Sequence, residues 1–220
     1  MSNIEYYNED CMVGMARYPD KYFDLAIVDP PYGIGNFTQS DRKNKYGDYV
    51  WNEEIPTDKY FEELKRISKR RIIWGANYYN CFEGGHAAII WNKENPHPSM
   101  SVCEIASYSE GKRVSYFRSA YYGFVGTSGN IHPCQKPVAL YKWLLTNYAK
   151  PGDKILDTHV GSASSLIACH DLGFDAVGFE LDEDYYKASK QRLENHQKQI
   201  RFDLPDREQD KPEQLGPVPC

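Results

Sequence analysis

The run Leu25-Ala26-Ile27-Val28 meets Asp29-Pro30-Pro31-Tyr32-Gly33 directly, and this junction limits the fold more than any other feature. Four consecutive apolar residues suit a strand buried on both faces, the pattern of a parallel sheet covered by helices. Such a strand must stop at Asp29, because proline has no N–H to offer a ladder. A rigid polar turn is thereby expected at the end of a buried strand, the edge where open α/β sheets bind ligands. Residues 4–7, 72–74, 87–91, 154–157 and 176–179 read as further strands. Helices are predicted over about 11–17, from about Thr57, over 136–149, over 161–172 behind a turn, and over 183–199. The second carries Tyr60, Phe61, Leu64 and Ile67 on one face, and the third has Pro137 early, where proline is tolerated. Strands alternating with helices predict an α/β fold with a mostly parallel sheet flanked by helices.

With 220 residues, one such domain over 1–200 with a small insertion within about 36–130 is the expected organisation. Four prolines, at 205, 212, 217 and 219, make 201–220 an expected disordered tail. Aromatics at 14%, including 18 Tyr, set the rest apart from disordered chains. No apolar run is long enough for a membrane span, and Met-Ser-Asn-Ile-Glu lacks the basic and apolar parts of a leader. The six cysteines and the histidines, among them His97, His132 and His170, have no spacing that suits a metal. A reduced, cytoplasmic protein with no metal and no membrane partner is the expectation.

A net charge of −5 excludes a globally basic nucleic-acid binder. The charge is unevenly spread, however. Residues 36–118 hold thirteen cations against eleven anions and form the only positive segment. Arg42, Lys43 and Lys45, the run from Lys65 through Arg70 and Arg71, and the group Lys112, Arg113 and Arg118 are candidates for one phosphate-binding face.

Residues 154–180 have the make-up of a strand, a small-residue turn, a helix, and a strand ending in Glu180. Gly161, Ser162 and Ala163 would let the backbone approach a ligand, and helix N–H groups lie just behind them. Glu180, 19 residues after Gly161, is placed to accept the hydroxyls of a ribose.

Together these residues resemble the S-adenosylmethionine-dependent amino-methyltransferases of DNA, in the adenine-N6 group with Asp-Pro-Pro-Tyr and the β-type motif order. His132-Pro133-Cys134-Gln135-Lys136-Pro137 resembles that family's His-Pro-x-Gln-Lys-Pro. The stretch from Asp157 to Ser165 stands where the family has Asp-Pro-Phe-x-Gly-Ser-Gly-Thr-Thr, and 178–185 resembles Gly-Ile-Glu-Leu-x-x-x-Tyr. Glu9-Asp10-Cys11 is similar to the element that contacts the cofactor's adenine. The resemblance implies a Rossmann-like methyltransferase fold with a circularly permuted motif order. It implies S-adenosylmethionine as cofactor, held by Asp10, Cys11, Asp29, Gln135, Lys136, Asp157, His159, Gly161, Ser162, Ala163, Ser164, Glu180 and Leu181. Thr158, His159 and Ala163 depart from the family's Pro, Phe and second Gly.

The chemistry implied is methyl transfer to a flipped-out adenine in double-stranded DNA. The adenine amine is a poor nucleophile because its lone pair is delocalised into the ring. Asp29 and the Pro30 carbonyl would accept its two N–H groups, Pro31 would fix their directions, and Tyr32 would stack on the base. Glu104 is expected to pair with a cation. The small insertion implies a short recognition sequence or help from a second subunit, as in a homodimer. Cytosine-N4 or RNA adenine as acceptor, and a catalytically degenerate binding protein, stay open as alternatives.

Overall fold

The computed structural model describes residues 2–34, 54–83, 85–94, 101–120, 130–132 and 134–199. Along the chain come β1 (Ile4–Asn8), α1 (Cys11–Met15), β2 (Phe23–Val28), α2 (Asp58–Ile67), β3 (Ser68–Trp74), α3 (Ala76–Tyr79) and β4 (Ala87–Asn92). They are followed by β5 (Cys103–Tyr108), β6 (Val114–Arg118), α4 (Val138–Tyr148), β7 (Lys154–Asp157), α5 (Ser164–Leu172), β8 (Asp175–Glu180) and α6 (Glu183–Gln197). The strands form one eight-stranded sheet in the order β1-β8-β7-β2-β3-β5-β4-β6. Among the described residues only β5 runs against its neighbours β3 and β4; every other pairing is parallel. Seven strands therefore end at one edge of the sheet, and β5 begins there.

Burial on both faces follows from the side-chain alternation of a strand. Leu25 and Ile27 of β2 point into a core shared with Leu140, Leu144, Leu166 and Ile167 of α4 and α5. Ala26 and Val28 point the other way, into a core with Met15 of α1 and Tyr60, Leu64 and Ile67 of α2. Neighbouring strands β7 and β2 are thus followed by helices on opposite faces. Chain reversal of that kind opens a crevice beyond the strand ends, and Asp157, the last residue of β7, and Asp29, the first after β2, stand there.

Three local readings are corrected. Strand β3 starts at Ser68, so the basic run beginning at Lys65 is split between the last turn of α2 and the first half of β3. Helix α4 starts after Pro137, which serves as its N-cap. Helix α1 ends at Met15, two residues before the predicted end. Of residues 36–56, whose polar, Gly- and Asn-punctuated make-up predicts a long loop, 36–53 lie outside the described residues, as does the tail at 201–220.

Candidate active site

Asp29 stands where β2 gives way to Pro30, and four parts of the chain converge on it. The Tyr32 hydroxyl donates to Asp29 Oδ1 at 2.6 Å, and the Lys136 ammonium donates to Oδ2. Lys136 also reaches Glu104 Oε2 at 3.0 Å, and Lys93 Nζ holds Glu104 Oε1 at 2.7 Å. The Tyr79 hydroxyl donates to the carbonyl oxygens of Pro30 (2.5 Å) and Pro31 (2.6 Å), which pins the rigid turn to α3. The Tyr32 ring stacks on Tyr78, with centroids 4.9 Å apart and planes 17° from parallel. Beneath it lies Gly75 at φ +78°, where an added Cβ would sit 2.5 Å from the Tyr32 ring. Only glycine combines that conformation with that closeness.

Burial alone would raise the Glu104 carboxyl, but Lys136 and Lys93 outweigh it and hold the group down at about 2. Lys136 is shifted upward: burial opposes its charge, and Asp29 and Glu104 more than compensate. Burial pushes the Tyr32 hydroxyl up, and the Asp29 and Glu104 charges push it further. It therefore remains a hydrogen-bond donor at neutral pH.

The second group lies beyond β7 and β8. Gly161 (φ +55°) turns the chain so that its N–H meets Glu180 Oε2 at 2.8 Å, while Glu180 Oε1 accepts from Asp182 at 3.0 Å. Burial raises the Glu180 carboxyl, and these backbone donors pull it back. Ala163, fully buried, takes the left-handed conformation at φ +62°, which accounts for the family's glycine at that place. The other two departures form one hydrogen-bonded unit. The Thr158 hydroxyl bridges Tyr60 Oη at 2.6 Å and His159 Nδ1 at 2.9 Å, and the Tyr60 and His159 rings meet edge-on. Burial lowers His159 to about 4, so it packs as a neutral ring. Asp157 accepts from the His159 N–H and from Ser165 Oγ, and burial lifts its carboxyl to about 7. Asp10 caps α1 through the Met12 N–H, with Cys11 behind it. Leu181 is exposed, and Ser162 and Ser164 are held together at 3.1 Å.

Some expectations are redirected. Gln135 closes its own loop, accepting from Ile131 and donating to Asn130, and Lys136 points at the Asp29 carboxylate. Arg70 is spent on Asp153 and the Tyr148 carbonyl, and Arg71, 7% exposed, on Glu83. Both guanidiniums are engaged within the fold. Lys112 and Arg113 precede β6, which runs parallel to β4, so they lie at the opposite edge of the sheet, about 15 Å from the strand ends. Arg118, at the far end of β6, stands on the site's edge and pairs with Glu94 at 2.6 Å. Arg42, Lys43 and Lys45 lie outside the described residues. The two described basic groups therefore do not make one face. Lys93 and Tyr79 escaped the sequence reading, which placed Tyr60 only on the apolar face of a helix; the usable signal for Lys93 was its place right behind a buried strand.

The profile of a DNA methylase family, the N6/N4 methyltransferases, matches residues 61–191. Type II methyltransferase M2.DpnII of Streptococcus pneumoniae is 24% identical over 250 aligned residues, covering 86% of this chain and 92% of that protein. M1.HpyAVI, solved as its SAM complex, matches with a TM-score of 0.58 at 19% identity, over 86% of this chain and 99% of that one. The cytosine-N4-specific PvuII DNA methyltransferase gives 0.61 at 12% identity, over 89% and 92%. At such identities the solved structures speak for the fold alone. The profile spans more than half of the sequence, and on that ground the chain belongs to the N6/N4 DNA methylases, the S-adenosylmethionine-dependent amino-methyltransferases of DNA.

Proposed function

We propose that this protein methylates the exocyclic N6 amine of adenine in duplex DNA, with the target base rotated out of the helix toward Asp29. The observation that carries the reading is the Asp29–Pro30 step, where a carboxylate held by Tyr32 and Lys136 is followed at once by a carbonyl held by Tyr79. Asp, in place of Ser, ahead of Pro-Pro-Tyr favours adenine over cytosine in the family resemblance.

The residues around Gly161 and Glu180 fit S-adenosylmethionine. A turn with left-handed backbone at Gly161 and Ala163 would bring main chain close to a ligand, and a half-buried carboxylate at the end of β8 suits ribose hydroxyls. When bound, the cofactor supplies an electrophilic methyl group on a sulfonium. The protein's own task is to make the amine nucleophilic. Asp29 and the Pro30 carbonyl each accept one N–H, which draws the nitrogen lone pair out of the ring's conjugation. Tyr32 and Tyr79 already donate to these oxygens, and each oxygen keeps a second lone pair for the amine. The stacked Tyr32 ring offers a flat apolar surface against which the base is oriented. As the methyl's bond to N6 forms and its bond to sulfur breaks, leaving a neutral thioether, the Asp29 carboxylate would offset the positive charge gained by the amine until its surplus proton passes to solvent. We assign target reading to the segment between about 36 and 130, whose Arg118 stands at the site's edge.

Incubation with methyl-labelled S-adenosylmethionine and duplex DNA, followed by digestion to nucleosides, tests this directly. Label is expected in N6-methyldeoxyadenosine, and Asp29→Ala is expected to lower transfer at least about 10²–10³-fold with cofactor affinity retained. Label in N4-methylcytosine, in RNA alone, or in no nucleoside would overturn the reading.

A further inference from the structure

We propose that Lys136, Glu104 and Lys93 are positioning residues that, as one alternating chain of charges, hold the Asp29 carboxylate aimed at the target amine. The inference rests on the amine-methylating role given to Asp29 above.

Four side chains from four places in the fold make this chain. Asp29 follows β2, Lys93 follows β4, Glu104 is the second residue of β5, and Lys136 precedes α4. Their order in space is Lys93, Glu104, Lys136, Asp29, with the Tyr32 hydroxyl touching both carboxylates at 2.6 and 3.3 Å. The lysines are 4% and 3% exposed, and the carboxylates 18% and 20%.

Desolvating four charges is costly, and replacing such groups by apolar residues is often neutral or stabilising. Had the fold needed only a counter-ion for Asp29, Lys136 alone would serve. The additional Glu104–Lys93 pair does something a single ion pair cannot. Glu104 shares the Lys136 ammonium, so that Asp29 is held in place without being saturated and retains acceptor capacity for an N–H. Lys93 cancels the second carboxylate, leaving the four groups neutral in sum. The topology makes this possible. A parallel strand would begin at the opposite edge, but β5 is reversed and delivers Glu104 at its start to the edge where the other strands end. Among the described residues, the groups facing Asp29 are Tyr32 on its own turn, Tyr60 from α2, Tyr79 from α3, Glu104, Lys136, Tyr141 from α4 and Asp157 at the end of β7. Among the described residues Lys136 is the cation in contact with Asp29, so its removal has a definite sign.

The test is the pH profile of methyl-transfer kcat for the wild type, Lys136→Met, Glu104→Gln and the double variant, with cofactor Kd measured calorimetrically for each. Lys136→Met leaves two carboxylates facing one lysine. Its acidic limb is expected to move up by about one pH unit or more, with kcat at pH 7 down at least about tenfold and cofactor Kd within about threefold. Glu104→Gln removes a negative neighbour, so its limb moves down or stays while kcat falls. The double variant restores charge balance and is expected to bring the limb back toward the wild type, which keeps the test usable if Lys136→Met folds poorly. Unchanged kcat and limb in Lys136→Met and the double variant would overturn the proposal. So would cofactor affinity falling in step with kcat, which would assign Lys136 to the cofactor. If the wild type methylates cytosine amines, the profile is read on that product and the same outcomes decide. If it methylates no nucleoside, the functional reading fails separately, and carbon-13 NMR titration of the Asp29 carboxyl decides. An upward shift in Lys136→Met supports the chain, and no shift overturns it.

Discussion

Gly75 carries a requirement that no other residue type meets. Its φ of +78° excludes most side chains, and a Cβ there would press on the Tyr32 ring. Gly75→Ala is expected to displace that ring, lowering kcat about tenfold or more and stability by about 1–2 kcal/mol. Gly152 provides the control. It has φ +87° with open space around its Cβ position, so Gly152→Ala should show the stability loss without the loss of kcat. Parallel measurement of kcat and melting temperature separates the two, and equal kcat losses would contradict the role given to Tyr32. Asp29, Tyr32, Gly161 and Glu180 could all be picked out from sequence, because strand ends and small-residue turns declare themselves locally. Lys93 and Tyr79 could not. Their roles depend on which strand lies beside which, and composition does not encode neighbours.

The turn from Asp157 to Gly161 shows how an element absorbs departures from a family pattern. Thr158 and His159 replace an apolar pair, and Tyr60 from α2 answers both through one hydrogen-bonded unit. This has a consequence for pH. Burial holds His159 at about 4, below the unfolded value of about 6.5, so its contribution to stability is present above pH 6.5 and lost as pH falls toward 4. Between pH 7.5 and pH 5, His159→Phe should lose about 2 kcal/mol less stability than the wild type, as read by urea melts at the two pH values. Equal losses would mean that the ring is not held neutral. Strand β3 teaches a related lesson. Its basic run looks like a solvated, phosphate-seeking surface, yet Arg70 and Asp153 are only 11% and 12% exposed and tie β3 to the turn before β7. Arg70→Ala is expected to cost about 3 kcal/mol of stability and leave DNA affinity unchanged when both are measured. Weaker DNA binding with intact stability would contradict that assignment. Charge runs mislead because linear proximity says nothing about which acidic partner the fold brings alongside.

At the scale of the molecule, the buried strands and their following helices were readable as an α/β sheet, since alternation and apolar runs are local signals. The reversal of β5 was not, because direction in a sheet is settled by pairing. That reversal brings Glu104 to the site edge, while the parallel course of β6 carries Lys112 and Arg113 to the wrong one. A negative overall charge and a DNA substrate are compatible when only the edge around Asp29 has to meet the duplex. Modified-base sequencing of DNA from cells expressing the wild type or Asp29→Ala tests the central claim most directly. The account predicts N6-methyladenine at one short, recurring sequence with the wild type and none with the variant. Modification on cytosine, or equal adenine methylation with both proteins, would contradict it.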